Sequence, residues 1–288
     1  MPIAHSELII NPDGSIYHLN LLPEDIADTI ITVGDPDRVA SVSKHFDTIE
    51  VKKHKREFNT HTGTYKGKRL TVISTGIGTD NIDIVFNELD ALVNINFKTR
   101  EIKKEIKSLD IIRIGTSGAI QKNIPINSFL ISEMAVGFDS LLHFYKSENI
   151  QHQDISKAIV EQTEWFDKKS EPYVVKASER LVSKFTSPKT VKGFTATNVG
   201  FYGPQGRILR LHTQDDALND KLALFKMDNL KITNLEMETA GIYGLSALLG
   251  HNALSLNAIL ANRATGEFSE NPNTVVDELI SYTLDKLV

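Results

Sequence analysis

The sequence predicts an α/β fold: one three-layer domain over residues 1–288, with a mixed, largely parallel central sheet flanked by helices. Three observations carry that expectation. Apolar runs at 29–33, 70–74 and 111–114 each end in a glycine-bearing turn, as buried parallel strands do. Apolar residues recur at helical spacing over 81–97 and 274–288. No linker, low-complexity stretch or internal repeat divides the chain, so alternating strands and helices belong to one sheet.

Residues 1–28 are mixed and polar, with Tyr17-His-Leu-Asn-Leu-Leu22 the only apolar knot. His18 in that knot reads, by itself, as a surface or packing histidine. Thr29–Val33 is a strand by its β-branched content. Gly34-Asp-Pro-Asp-Arg38 opens a helix: Asp35 caps it, Pro36 suits its first turn, and Val39, Val42 and Phe46 give the apolar face. Gly34 and the free N–H groups of this helix start form an anion site. Arg38 opposes the helix dipole there, which a bound anion would relieve; a surface arginine is the alternative. Lys52–Phe58 is a charge run, read as a solvated strand or loop.

Leu70–Gly78 is a second buried strand ending in glycines. It imitates half of a dinucleotide fingerprint, but Asn81 stands where the third glycine belongs, so a Rossmann site is rejected. Ile82, Val85, Phe86, Leu89, Leu92 and Val93 line one face of a long helix over 81–97. Residues 98–109 form a solvated connection.

The central stretch is Ile111-Ile-Arg-Ile-Gly-Thr-Ser-Gly-Ala-Ile120, an apolar strand opening into a small polar turn. Ligands of open α/β sheets bind at that end of the strands. Gly115 and Gly118 let the backbone approach a ligand, while Thr116 and Ser117 offer hydroxyls. An arginine inside such a run is costly unless an anion neutralises it. Arg113 therefore either reaches a phosphate or pairs with a buried carboxylate.

Phe129–Ala135 reads as another strand, and residues 137–190 are the least informative part, with the only tryptophan, Trp165, and an exposed loop at 167–171. Val191–Thr197 is a strand leading into the turn-rich Asn198–Arg207, where Gln205 and Arg207 suit a planar heterocycle. Strand residues 231–235 precede a helix, with Glu236 and Glu238 at the junction; a helix-start charge effect is the alternative for those carboxylates. Ala253–Ala261 is a further strand, ended by Asn262-Arg263, and an amphipathic helix over 274–288 closes the chain.

The net charge of −5 and the lack of a basic stripe argue against nucleic acid. With no cysteine, disulfides, thiolate nucleophiles and Cys-ligated zinc are excluded. No signal peptide or membrane span is found, so a cytoplasmic protein is expected.

In its ordered motifs the chain resembles the nucleoside phosphorylases of the hexameric type, and within them the uridine-cleaving branch. The matching pieces are Tyr17-His-Leu, Gly34-Asp-Pro-Asp-Arg-Val, Arg56-Glu-Phe, Ser74-Thr-Gly-Ile-Gly, Arg113-Ile-Gly-Thr-Ser-Gly-Ala-Ile, Phe201-Tyr-Gly-Pro-Gln-Gly-Arg, Glu236-Met-Glu-Thr-Ala and Asn262-Arg. They span almost the whole chain in the family's order. The resemblance implies a pentosyltransferase that splits uridine with phosphate into uracil and ribose 1-phosphate. It implies phosphate held by Gly34, Arg38, Arg113 and Thr116, with Arg56 joining from a neighbouring subunit. Glu238 would bind the ribose hydroxyls beside Met237 and Glu236, and a neighbour's His18 would meet the 5′-hydroxyl. Phe201, Gln205 and Arg207 would hold the base; Arg38, Arg113, Gln205 and Arg207 would carry catalysis. A homodimer with shared sites, three to a hexamer, is implied. So is a reaction with no organic cofactor or catalytic metal, plus a structural K+ near Glu57 and Ile77.

Some positions depart from that pattern. Tyr202-Gly-Pro-Gln replaces Tyr-Pro-Gly-Gln, Gly206 replaces a larger residue, Thr79-Asp80 and Leu260-Ala261 alter the pocket, and Asn81 alters the cation site. Two rivals follow: a purine nucleoside phosphorylase of the same fold, and a non-catalytic nucleoside-binding protein. The purine branch places an aspartate where Ala261-Asn262-Arg263 stands here.

Overall fold

A computed structural model describes residues 2–288. One mixed sheet runs through it. β1 (Thr29–Val33) enters α1 (Pro36–Ser43), which the Asp35 carboxylate caps by accepting from the Asp37 N–H at 2.9 Å. The charge run is the solvated edge strand β2 (Thr48–Lys55), paired in a hairpin with β3 (Phe58–Tyr65), and β4 (Lys68–Ser74) returns beside β1.

α2 spans Thr79–Asn94, three residues short of the predicted end. The buried Asn94 stops it: its side chain donates to the Lys107 carbonyl at 3.1 Å and accepts from the Lys107 N–H at 2.7 Å. The predicted connection after it contains a small hairpin, β5 (Ile95–Asn96) and β6 (Glu101–Ile102). β7 (Asp110–Ala119) also differs from expectation. The glycine-bearing segment is not a turn, and the strand continues through Thr116-Ser-Gly-Ala119.

β8 (Phe129–Gly137) is followed by three elements the sequence left unread: α3 (Gln153–Thr163), β9 (Tyr173–Lys176) and α4 (Glu179–Phe185). Trp165 closes that region by packing on Phe138, ring centroids 4.7 Å apart. β10 (Thr190–Thr197), α5 (Leu218–Leu224), β11 (Ile232–Glu236), α6 (Thr239–Leu249), β12 (Asn252–Asn262), β13 (Glu267–Phe268) and α7 (Pro272–Leu287) complete the chain.

Parallel ladders join β1 to β4 and β7, β7 to β12, and β10 to β8 and β11. Antiparallel pairs make the edges and two closures, β11 with β7 and β12 with β8. The pairings β7–β12–β8–β10–β11 and back to β7 therefore form a closed ring. α1 packs with α7 and α2 with α6, and these helices bury Val39, Phe86, Leu89, Ile242 and Leu279, all fully enclosed, in one core with the strands. α3 and α5 cover a second core around Ile159, Val174 and Leu222. The carboxyl ends of the parallel strands β1, β4 and β7 lie together, and β11, running the other way, meets the end of β7 at Leu235 and Gly118; the site lies there. Among the described residues no helix is long and apolar enough to cross a membrane.

Candidate active site

A cavity of about 740 Å³ is lined by Gly34 and Arg38 after β1, by Gly76 and Ile77 after β4, and by Arg113, Thr116 and Ser117 on β7. Glu236, Met237 and Glu238 enter it from the end of β11, and Phe201, Gln205 and Arg207 from the loop after β10. All the substrate-holding residues singled out in the sequence, His18 and Arg56 apart, thus meet in one chamber although they are far apart along the chain.

Arg113 resolves the choice left open above, and the buried carboxylate pairing is what one chain shows. Its Nη2 donates to Glu238 Oε2 at 2.5 Å and lies 3.2 Å from Glu236 Oε2. Its Nη1 donates to Asn257 Oδ1 at 3.0 Å. Burial disfavours the charge, but the two carboxylates outweigh it and hold the Arg113 pKa above its usual value. The guanidinium folds back over Gly115, where a Cβ would lie 1.7 Å from Nη1. Gly115 therefore makes room for this arginine rather than for a ligand, correcting the expectation.

The two carboxylates divide their work. Glu236 accepts from Thr197 Oγ1 at 2.6 Å and from the N–H groups of Glu238 and Thr239 at 2.9 and 3.0 Å. With Arg113 beside it, this carboxylate is saturated and anchors the start of α6. Glu238 accepts from the Gly78 N–H at 2.9 Å besides Arg113, and faces the cavity. Burial, opposed by Arg113 and aided by the Glu236 charge, pushes the Glu238 carboxyl up. Arg38 is half-buried and donates to the Ile114 carbonyl at 3.3 Å. Burial and then the nearby Arg113 charge lower its pKa, so an arriving anion would stabilise the charge of Arg38.

At the far end, a single 3-10 turn, Gly203–Gln205, presents Gln205. The Arg207 guanidinium carbon lies 3.8 Å from the centre of the half-exposed Phe201 ring, and its Nη1 donates to Gln205 Oε1 at 2.6 Å. Arg263 donates to the Gln205 carbonyl, and Asn219 Nδ2 donates to the same oxygen at 2.8 Å. Gly206, at φ 64°, has no room for a Cβ, which would meet Asn219 Nδ2 at 2.4 Å. That packing explains the small residue between Gln205 and Arg207.

His18 and Arg56 do not reach the cavity of their own chain. The exposed Arg56 sits at the tip of the β2–β3 hairpin with φ 55°. Glu88 clamps His18, accepting from Nδ1 at 2.6 Å and from the backbone N–H at 3.0 Å. Near the proposed cation position, Glu57 and the Ile77 carbonyl are hard oxygen donors. The Asn81 amide nitrogen sits 3.4 Å from that carbonyl.

Sequence reasoning missed Ser255, Asn257, Asn219 and the rim residue Phe268. Ser255 and Asn257 carried a usable signal: two polar residues on one face of an otherwise apolar strand, as costly there as Arg113 in its own.

The family described as Phosphorylase superfamily matches residues 28–285. A uridine phosphorylase of Thermococcus kodakarensis is 31% identical over 267 residues, covering 90% of this chain and 81% of that protein. A DeoD-type purine nucleoside phosphorylase of Colwellia psychrerythraea is 27% identical, covering 94% of this chain and 98% of the relative. Among solved structures, a Trypanosoma brucei nucleoside phosphorylase, described as showing uridine phosphorylase activity, superposes with a TM-score of 0.89. It is 30% identical, over 97% of this chain and 99% of that one. A uridine phosphorylase of the oomycete Phytophthora capsici shares the fold, with a TM-score of 0.69 at 22% identity over 97% of this chain and 96% of its own.

Proposed function

The chain belongs to the phosphorylase superfamily, and from that premise we propose that it cleaves the N-glycosidic bond of uridine with inorganic phosphate, giving uracil and ribose 1-phosphate. One observation carries the reading. One cavity is lined by Arg38, Arg113 and Thr116 from the ends of β1 and β7, by Glu238 after β11, and by Gln205, Arg207 and Phe201 from the loop after β10. The first group suits a small dianion, the last a planar heterocycle, and the carboxylate a diol.

A phosphate oxygen attacks the anomeric carbon while the C–N bond breaks, and the bonding pair leaves with the base. Arg38 and Thr116 orient the phosphate, with Gly34 allowing close approach, a positioning contribution to rate. The Arg113–Glu238 pair links the phosphate end to the sugar, so both substrates meet one rigid unit. Negative charge gathers on the uracil oxygens, where the Arg207 guanidinium and the Gln205 amide stabilise it mainly in the transition state. An amide and a guanidinium together match the acceptor–donor–acceptor edge of uracil. Phosphate supplies the nucleophile and the guanidinium groups supply positive charge, so the proposed reaction runs without organic cofactor or catalytic metal. Glu57 and Ile77 are the proposed seat of a structural K+, which needs further oxygens from a second copy.

His18 and Arg56 stand outside their own cavity, and we assign them to a neighbour's. That reading gives a homodimer with shared sites, three of which make the proposed hexamer, working on small molecules in the cytoplasm. Position 262 weighs against purine selectivity. The Asn262 side chain is buried and donates to the Gln121 and Ile124 carbonyls at 3.0 and 2.8 Å, so it offers no acid to a purine ring. A merely binding protein has no need of arginines gathered beside the sugar carboxylate.

Uridine, thymidine, deoxyuridine and inosine assayed with and without phosphate test the proposal. Uracil release that requires phosphate is expected; phosphate-independent release, or inosine cleaved faster than uridine, overturns it.

A further inference from the structure

The closed ring β7–β12–β8–β10–β11 is filled by polar side chains, one or two from each strand. Arg113, Asn257, Ser132, Thr195, Asn234 and Ser117 are all at most 9% exposed. Arg113 Nη1 donates to Asn257 Oδ1 at 3.0 Å, and Asn257 Nδ2 donates to Ser132 Oγ at 3.2 Å. Ser132 Oγ lies 2.5 Å from Thr195 Oγ1, which lies 2.9 Å from Asn234 Oδ1; Asn234 Nδ2 donates to Ser117 Oγ at 2.9 Å.

Donor and acceptor chemistry gives this chain one direction. A guanidinium only donates, so the Asn257 carbonyl must face it and its NH₂ must face Ser132. Ser132, already accepting, sends its hydrogen to Thr195, and Thr195 sends its own to the Asn234 carbonyl. Asn234 then donates to Ser117. Among the described residues the Ser117 hydrogen has no acceptor, and Ser117 lines the cavity. Arg113, Gly115 and Ser117 alternate onto one face of β7, so the chain returns beside the guanidinium where it began.

We propose that Asn234 is a positioning residue: it fills the acceptor side of the Ser117 hydroxyl and so aims that hydrogen into the cavity, at an oxygen of a bound substrate beside Arg113. The cation at the head of the chain polarises each bond after it in the same sense. Phosphate and the ribosyl group both carry such an oxygen. The inference rests on the phosphorolysis reading given above.

Asn234→Asp tests it with little change of shape. A carboxylate at 234 accepts from Ser117 and turns its hydrogen away from the cavity, whereas the protonated acid donates as the amide did. Ser117→Ala should lower kcat/KM roughly ten- to a hundred-fold, the scale of one hydrogen bond to a charged group. Asn234→Asp should approach that loss as pH rises from about 5 to about 9, because burial holds its carboxyl protonated in acid. The double variant should be no worse than Ser117→Ala alone, and thermal melting confirms that each variant is folded. Whether the KM for phosphate or for uridine moves identifies which substrate supplies the oxygen. Additive losses, or a pH-independent ratio of variant to wild type, overturn the proposal. Failure of the wild type to need phosphate sinks the underlying reading instead.

Discussion

Replacing Gly115 with Ala probes the Arg113 cluster without touching any polar group. The new Cβ would lie 1.7 Å from Arg113 Nη1, 2.4 Å from Cζ and 2.8 Å from Nη2. The head group must therefore retreat by roughly 2 Å to reach ordinary carbon contact distance. A free arginine head would swing aside at small cost, but this one is 5% exposed and held by Asn257, Ser255 and Glu238. A shift of that size takes the 2.5 Å bond to Glu238 and the 3.0 Å bond to Asn257 past hydrogen-bond range. Glu236 and Glu238 then share a buried space without their cation, which costs about 3–5 kcal/mol. Protonation of Glu238 recovers part of that. Phosphorolysis should fall about 10²–10³-fold, the scale of losing one charged transition-state contact. Urea unfolding and steady-state kinetics at varied phosphate measure both effects. The Arg113→Ala/Gly115→Ala double variant should match Arg113→Ala alone, because the methyl group then meets nothing charged. Wild-type phosphate saturation and stability in Gly115→Ala would refute the placement of the guanidinium over this residue.

Arg113→Ala should cut turnover by about 10²–10³, and near-normal phosphate saturation would count against its role. Arg207→Ala should damage uridine cleavage far more than phosphate affinity; equal losses would remove Arg207 from the base pocket. Burial, and then Lys52, hold the His61 imidazole below its ordinary 6.5, and its Nδ1 lies 2.7 Å from Ser43 Oγ. The unfolded chain therefore binds the extra proton first, and stability should fall as pH drops below 6.5. Denaturant titrations of His61→Gln should show a shallower acid decline; an unchanged slope would place the titration elsewhere.

Much of this arrangement is written locally. Asp35 and Pro36 announce the helix start behind β1, β-branched runs announce the strands, and the cost of burying Arg113 marks the strand on which the site is built. Those signals are short-range, because caps, periodicity and desolvation act within a few residues. Elements between 150 and 185 stayed illegible, since α3, β9 and α4 are short and gain their stability from packing on β8 and α5 rather than from propensity. Ring closure is likewise non-local: β7 meets β12 and β11, strands more than a hundred residues further on. Only that closure makes Asn257 a partner of Arg113 and joins Asn234 to it through Ser132 and Thr195, saturates Glu236, and gives Gly115 its purpose. The residues named the protein's chemistry only through the family they resemble; which groups are free to perform it was decided by the fold, because a hydrogen bond already made inside the protein is no longer offered to a substrate.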